Sequence, residues 1–445
     1  SGASVTFGGV VIGTLSGGAD GTNLHISLNA NASVDAVEAL IQNLTYGSTS
    51  QSPEASRTVA LRVSDGDGGA SAASSVTINV TLELDGQPEV HVTERVNTFA
   101  ASTQEEPQIA VLNDGSYVIV WQSYGQDDTN SDGIYAQRFG ANGVAMGPEF
   151  RVNDVTDGDQ LQANVAALSD GGFVVTWQDV TGVDGSGYGV IAQRFAADGT
   201  TQGGNFVVNT TTSSTQYAGP VASYDGGFAI IWSDSNASSV SYDIFVQRFD
   251  NAGNKLGGEV LVSTALGLST GQSGSQYYGD IAANAAGKMV VVWNDGASND
   301  GNADGVFGRL YDAATNTFGA TFLINTTTIA EQSNTAIGYE PRVSMAADGS
   351  FVVVWPANGQ DGSGWGVFGQ RFDASGAKLG GEFQINESTT SGQYMADVTV
   401  LSTGGFVVTW HNDSYGVSGV GSYQDVYIRE YDAAGNPVDG ERLVT

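Results

Sequence analysis

A repeat constrains this chain more than any other feature. The run Gly115-Ser116-Tyr117-Val118-Ile119-Val120-Trp121 has equivalents ending at Trp177, Trp232, Trp293, Trp355 and Trp410, spaced 56, 55, 61, 62 and 55 residues apart. A second mark follows each tryptophan. It is Ala136-Gln137-Arg138-Phe139 in the first copy, and it recurs around Arg194, Arg248, Arg309, Arg371 and Arg429. Within the second copy, residues 164–168, 173–177, 190–195 and 205–209 are short runs rich in Val, Ile, Phe and Trp, punctuated by Asp-Gly and Gly-Gly. Runs of this length and punctuation predict strands. A four-stranded unit that recurs six times must stack on its neighbours to bury its faces, and the expected fold is all-β: a six-bladed β-propeller over residues 87–445. The strand-four pattern occurs seven times, once more than six blades need. Residues 94–97 are therefore expected to form the outer strand of the last blade and close the ring, with residues 441–445 leading out.

The copies also pair as triplets. Copies one and four share Asp128-Thr-Asn130-Ser-Asp132-Gly133 and Asp300-Gly-Asn302-Ala-Asp304-Gly305. Copies two and five share Asp184-Gly-Ser-Gly-Tyr188 and Asp361-Gly-Ser-Gly-Trp365. A duplicated three-blade unit follows. Residues 1–86 differ: alternation over 5–14, 24–29, 44–48, 58–64 and 75–84 predicts strands, and 34–42 predicts a short helix capped by Ser33. This reads as a β-sandwich module lacking its first strands, joined to the propeller by a linker at residues 85–88.

Charge narrows the partners. The chain has 15 basic and 48 acidic side chains, a formal charge of -33, so a nucleic-acid backbone or an anionic membrane would find little to neutralise it. With no cysteine, disulfides, zinc–thiolate sites and cysteine nucleophiles are excluded. The chain starts at Ser1 without a signal peptide and reads as a fragment of a larger protein.

The strongest chemical pattern is the alternating Asp128, Asn130, Asp132 and its twin Asp300, Asn302, Asp304. Oxygen-bearing side chains at every second position before a glycine form the first half of a calcium loop. The second half is missing, because Phe139 and Tyr311 stand where glutamate would, so calcium binding would be weak. Asp65, Asp67 and Asp85 form a second calcium candidate between the two modules; a solvated turn is the alternative for both. Propeller topology places the strand two-to-three and strand four-to-one loops on one face, which carries Tyr124, Tyr188, Trp365 and Tyr415. Flat rings beside Asp, Asn and Gln suit sugar recognition, and packing between blades is the competing reading. The once-per-blade arginines, and the glutamines at 104, 160, 216, 276, 332 and 393, read as structural ties. Catalysis finds no motif: His25, His91 and His411 are scattered, and no carboxylate pair of the kind a glycosidase needs stands out among the acids.

Val-Val-x-Trp, Gln-Asp-Gly-Ser-Gly-x-Gly-Val, Gln-Arg-Phe-Asp-x-x-Gly and Glu-Phe-x-Val-Asn together resemble the propeller-type repeats of giant bacterial surface proteins of the RTX adhesin class. Residues 5–86 resemble the cadherin-like repeats of the same proteins, through residues 36–46 and 63–69. The resemblance implies an extracellular or cell-surface location, calcium (Ca2+) as a stiffening ion and a role in adhesion. It does not extend to the RTX nonapeptides, which are absent from this chain. The resulting expectation is a non-catalytic adhesion module. It would bind cell-surface or matrix polysaccharide on the aromatic face or, alternatively, copies of itself in a filament, surface layer or biofilm matrix. A polysaccharide-active enzyme is the third reading.

Overall fold

The structure, a computed structural model, describes residues 4–7, 9–16, 24–33, 36–37, 40, 56–61, 74–82, 88–90, 95–128, 130–235, 242–263, 276–296, 299–301, 304–313, 315, 317–328, 331–332, 340–413 and 424–444. Two compact units divide the chain, Ser1–Arg95 and Val96–Thr445.

In the first unit two three-stranded antiparallel sheets are described. One joins Ser4–Phe7, Val10–Ser16 and His25–Leu28; the other joins Ser56–Leu61, Ser74–Leu82 and Pro88–Val90. The first expected strand is thus a hairpin, turned at Gly9 with φ 80°, a value that costs glycine little. Pro88–Val90 pairs back with residues 80–82, so sheet structure resumes at the end of the expected linker. Ser33 caps a helical turn, its Oγ accepting from the Ala36 N–H at 3.2 Å. The expected strand at 44–48 lies outside the described residues.

The second unit is six four-stranded antiparallel sheets in sequence order, a β-propeller. The inner strands are Gln104–Val111, Gln160–Ala167, Thr215–Tyr224, Gln276–Ala283, Arg342–Met345 and Gln393–Val400. Strand two of each blade carries the repeat tryptophan, which is 0–3% exposed in all six. The phenylalanine of the second mark packs across strands on the start of strand two. Phe173 and Phe195 stack at 4.8 Å, Phe228 and Phe249 at 5.0 Å, Phe351 and Phe372 at 4.7 Å. Large rings at fixed register supply most of the apolar area that holds blades together.

Five apolar clusters fill the five junctions between consecutive blades. The ring of sheets is not closed at the sixth. Ile109 on the inner strand of blade one is 59% exposed, whereas its equivalents Val221, Ile281, Val343 and Val398 are 5–8% exposed under the preceding blade. The expected closure by residues 94–97 is corrected. Blade six takes its outer strand from Arg442–Leu443, which pairs with Tyr427 and Ile428. Asn97 instead stands before blade one and donates to Gln104 Oε1 at 2.7 Å.

That contact is one copy of a latch between blades. At the end of strand four, Asn153, Asn209, Asn325 and Asn386 each accept, through Oδ1, the first free N–H of strand three in their own blade (Ile134, Val190, Val306, Val367) at 2.8–3.0 Å. Their Nδ2 groups reach Gln160, Gln216, Gln332 and Gln393 of the next blade at 2.9–3.2 Å. The same Nδ2 groups reach Asp127, Asp184, Asp300 and Asp361 in the strand two-to-three loop at 2.7–3.2 Å. Apart from Gln332 Nε2, these buried polar groups thus satisfy one another.

Candidate active site in the propeller cavity

In blades one to four and six the inner strand begins at or beside the repeated glutamine and then loses register with strand two. The irregularity falls between Glu105 and Gln108, Leu161 and Asn164, Ala218 and Val221, Tyr277 and Asp280, and Tyr394 and Asp397. A bulge at this point turns side chains out of the sheet and toward the axis. At its apex Glu106, Gln162 and Met395 have φ of 52°, 55° and 52°. Side-chain-bearing residues adopt this conformation at a cost of about 1–2 kcal/mol, and glycine would avoid it.

The bulges line one cavity of about 560 Å³, within the size range of ligand sites. Its wall includes Glu106, Gln108, Gln162, Asn164, Tyr217, Asp280, Glu340, Arg342, Asp397 and His411. Because these lie at the start of strand one and the end of strand two, the cavity belongs to the loop face on which the aromatic residues were expected. A smaller apolar cavity of about 110 Å³ between blades three and four has Arg248 over the Tyr311 ring and no carboxylate in its wall.

The acids in the main cavity differ in environment. Glu106 is exposed to the cavity but carries a desolvation penalty from its wall. That desolvation raises its pKa above the ordinary glutamate value, and the charges of Glu105, Glu340 and Asp132 add to the effect. Asp280 is buried. Desolvation pushes its carboxyl up to about 6 against the opposing pull of Arg342. Its Oδ2 accepts from the Val343 N–H at 2.8 Å and its Oδ1 from the Ile281 N–H at 2.8 Å, so it ties blade four to blade five. Arg342 faces Asp280, Glu340 and Asp397, and these charges raise its pKa against the desolvation of its own burial.

The residues singled out in the sequence fall elsewhere. Asp128 donates its N–H to Asp127 Oδ1 at 2.9 Å, and the Asp132 N–H bonds Asp159 Oδ1 at 3.1 Å. Asp300 is part of the blade-four latch, whereas in blade one Asp127, not Asp128, fills that role; the two acidic motifs are offset by one residue. Burial, then neighbouring acids, raise the carboxyls of Asp132 and Asp304. Among the described residues no group of three or more His, Cys, Asp or Glu is placed to hold a metal ion. Asn130 is described within its loop, and Asn302, Asp65, Asp67, Asp85 and Tyr415 lie outside the described residues. Tyr188 is half-exposed and meets Tyr217 of the cavity wall edge-on at 6.0 Å, and Tyr217 meets Tyr242 at 5.6 Å. Tyr124 is half-exposed and Trp365 partly buried, and neither joins the cavity wall. The repeated arginines are outer ties: Arg138 Nη1 donates to the Asp198 carbonyl at 2.6 Å, Arg429 Nη1 to the Ile385 carbonyl at 2.7 Å.

Glu106, Asp280, Glu340, Arg342 and Asp397 escaped the sequence reading. A signal was present two and four positions past each repeated glutamine, where Glu106 and Gln108, Gln162 and Asn164, and Met395 and Asp397 stand in equivalent places.

No family model matches the chain, and no curated protein matches it. Solved structures do resemble it at the level of architecture. A protein of unknown function from Dyadobacter fermentans DSM 18053 is 12% identical, with a TM-score of 0.48, covering 75% of this chain and 96% of that one. The alpha-L-arabinanase of Penicillium chrysogenum, complexed with arabinobiose, is 15% identical, with a TM-score of 0.46, covering 74% and 93%. The Hadza microbial sialidase Hz136 is 11% identical, with a TM-score of 0.45, covering 69% and 63%.

The expectation of a non-catalytic adhesion or self-assembly module is therefore corrected. It rested on the absence of any carboxylate set that stood out. The fold gathers four carboxylates into one cavity.

Proposed function

We propose that the propeller is a glycoside hydrolase that cleaves a polysaccharide in its central cavity. The observation that carries this reading is the pair Glu106 and Glu340 in one cavity wall, with the pKa of Glu106 raised above the ordinary glutamate value by desolvation and neighbouring acids. Glycosidic cleavage needs one carboxylic acid to protonate the leaving oxygen and one carboxylate to activate water or attack the anomeric carbon. Glu106 is the acid and Glu340 the second carboxylate. Asp280 positions Arg342, and Arg342 fixes the charge around Glu340. Tyr217 offers a flat face to a sugar ring, with Tyr188 extending it toward solvent. A polymeric substrate accords with an extracellular setting, and calcium enters as a weak ligand of the acidic loops of blades one and four.

The test is release of reducing ends from a panel of plant, algal and microbial polysaccharides. Glu106→Gln and Glu340→Gln are each expected to lower kcat at least 10²-fold while leaving the melting temperature unchanged. No release from any polymer, or full activity in both variants, overturns the proposal. The anomeric configuration of the first product, read by NMR, separates a nucleophilic from a water-activating Glu340.

A further inference from the structure

We infer, resting on the hydrolase reading, that the cavity selects glycans without anionic groups and rejects chains bearing carboxylate or sulfate. Its wall carries Glu106, Asp280, Glu340 and Asp397 against one arginine, Arg342. Three of the four acids, Asp280, Glu340 and Asp397, act electrostatically on that arginine. A sugar carboxylate or sulfate entering the cavity would meet four acids for one arginine, a net like charge.

The surroundings point the same way. Glu105 adjoins the wall, and Asp132, Asp159 and Asp127 stand close enough to act on one another. Arginines described at the repeated strand-three position are used on the outside of the blades. Arg138 bonds the carbonyl of Asp198, Arg371 that of Ala433, and Arg429 that of Ile385 together with the carboxylate of Glu387. A formal charge of -33 extends the same sign over the whole chain. Low-dielectric walls focus such a field on a ligand in a cleft, and like-charge juxtaposition works as selection against the wrong partner. What the wall offers instead suits an uncharged ring: the Tyr217 face with Tyr188 and Tyr242 beside it, and the amides of Gln108, Gln162 and Asn164 as hydrogen-bonding groups for hydroxyls.

The experiment uses the full chain and a panel split equally between neutral polysaccharides (arabinan, galactan, xylan, mannan) and anionic ones (polygalacturonate, sialylated and sulfated glycans). Cleavage confined to neutral members is expected. The best neutral substrate is then partly oxidised to carry carboxylates. Its kcat/KM is expected to fall at least tenfold at 20 mM salt, and the gap to narrow at 500 mM as screening shortens the field. Preferential cleavage of an anionic polymer, or equal kcat/KM for the oxidised and parent chains at low salt, overturns the inference while the hydrolase reading stands. Cleavage of nothing removes both.

Discussion

Two sets of residues are keyed to the same glutamine in every blade, and they behave oppositely. The latch set uses one chemistry at four of the five junctions: an asparagine at the end of strand four, a glutamine at the start of the next strand one, an aspartate in the loop between; at the junction of blades three and four Ser263 takes the asparagine's place, its Oγ accepting from the Ile244 N–H. The cavity set sits two and four residues later on the same strand, except in blade five, where Arg342 follows Gln332 by ten residues. It shares a backbone bulge but not a side chain, with Glu106, Gln162 and Met395 at one level and Gln108, Asn164, Asp280, Arg342 and Asp397 at the next. A residue repeated at every junction does the same work at each. A backbone shape that is repeated with different side chains builds one asymmetric surface for the whole ring. Identity between blades therefore marks structure, and difference at a shared strained position marks function.

The sharpest way to break this comparison is to remove a latch. Asn209→Ala leaves the Val190 N–H and Gln216 without their partner in a buried setting. The expected loss is about 2–4 kcal/mol in chemical unfolding, with kcat on the hydrolysed glycan unchanged. A loss of turnover at full stability would erase the distinction.

A comparable effect comes from Asp280, which belongs to the cavity. Its carboxyl titrates at about 6 in the folded chain against an ordinary value of 3.8, so between these values folding takes up a proton. Stability is therefore expected to fall as pH rises from about 4 to 6, by on the order of 3 kcal/mol from this group. The exposed turn carboxylates of Asp114, Asp198, Asp348, Asp373 and Asp432 act the other way. Side-chain hydrogen bonds first, and backbone N–H donors with them, hold their pKa values down, so their contribution is lost as pH falls through those lowered values. Maximum stability is expected near pH 4–5, and Asp280→Asn should flatten the decline above it. Melting temperatures across pH 3–8 check both limbs.

Smaller effects sharpen the contrast. Gln162→Gly relieves a φ of 55° and is expected to stabilise by about 1 kcal/mol in thermal unfolding. A drop in stability would show that the side chain, not the backbone, holds the bulge. Calcium is expected to act on a similar scale. At ten times a dissociation constant near 10⁻³ M it would add roughly 1.4 kcal/mol, and Asp128→Ala/Asp132→Ala or Asp300→Ala/Asp304→Ala should reduce that gain. No melting shift between calcium and chelator would assign the acids of these loops to latching alone.

Much of the propeller was legible because its signals are local. Trp121 and its five counterparts, each at the end of a short apolar run, mark strand two by residue type and period alone, and the glutamines were recognised as ties. The ring's open seam was not legible, since the strand-four pattern precedes blade one as well as ending blade six, and only pairing shows that Arg442–Leu443 takes the outer place. The candidate site was less legible still. Asp128 and Asp300 drew attention by their spacing, yet spacing alone does not show that Asp300 is spent on Asn325.

The sequence by itself determined the number of blades, the strands within them and the residues that bind blade to blade, because each follows from patterns spanning a few dozen residues. Only the tertiary structure decided where the chemistry lies. Glu106 and Glu340 are 234 residues apart and belong to copies that look alike in isolation. They share a cavity wall because six twisted sheets, set side by side, turn their bulged inner strands toward a common axis.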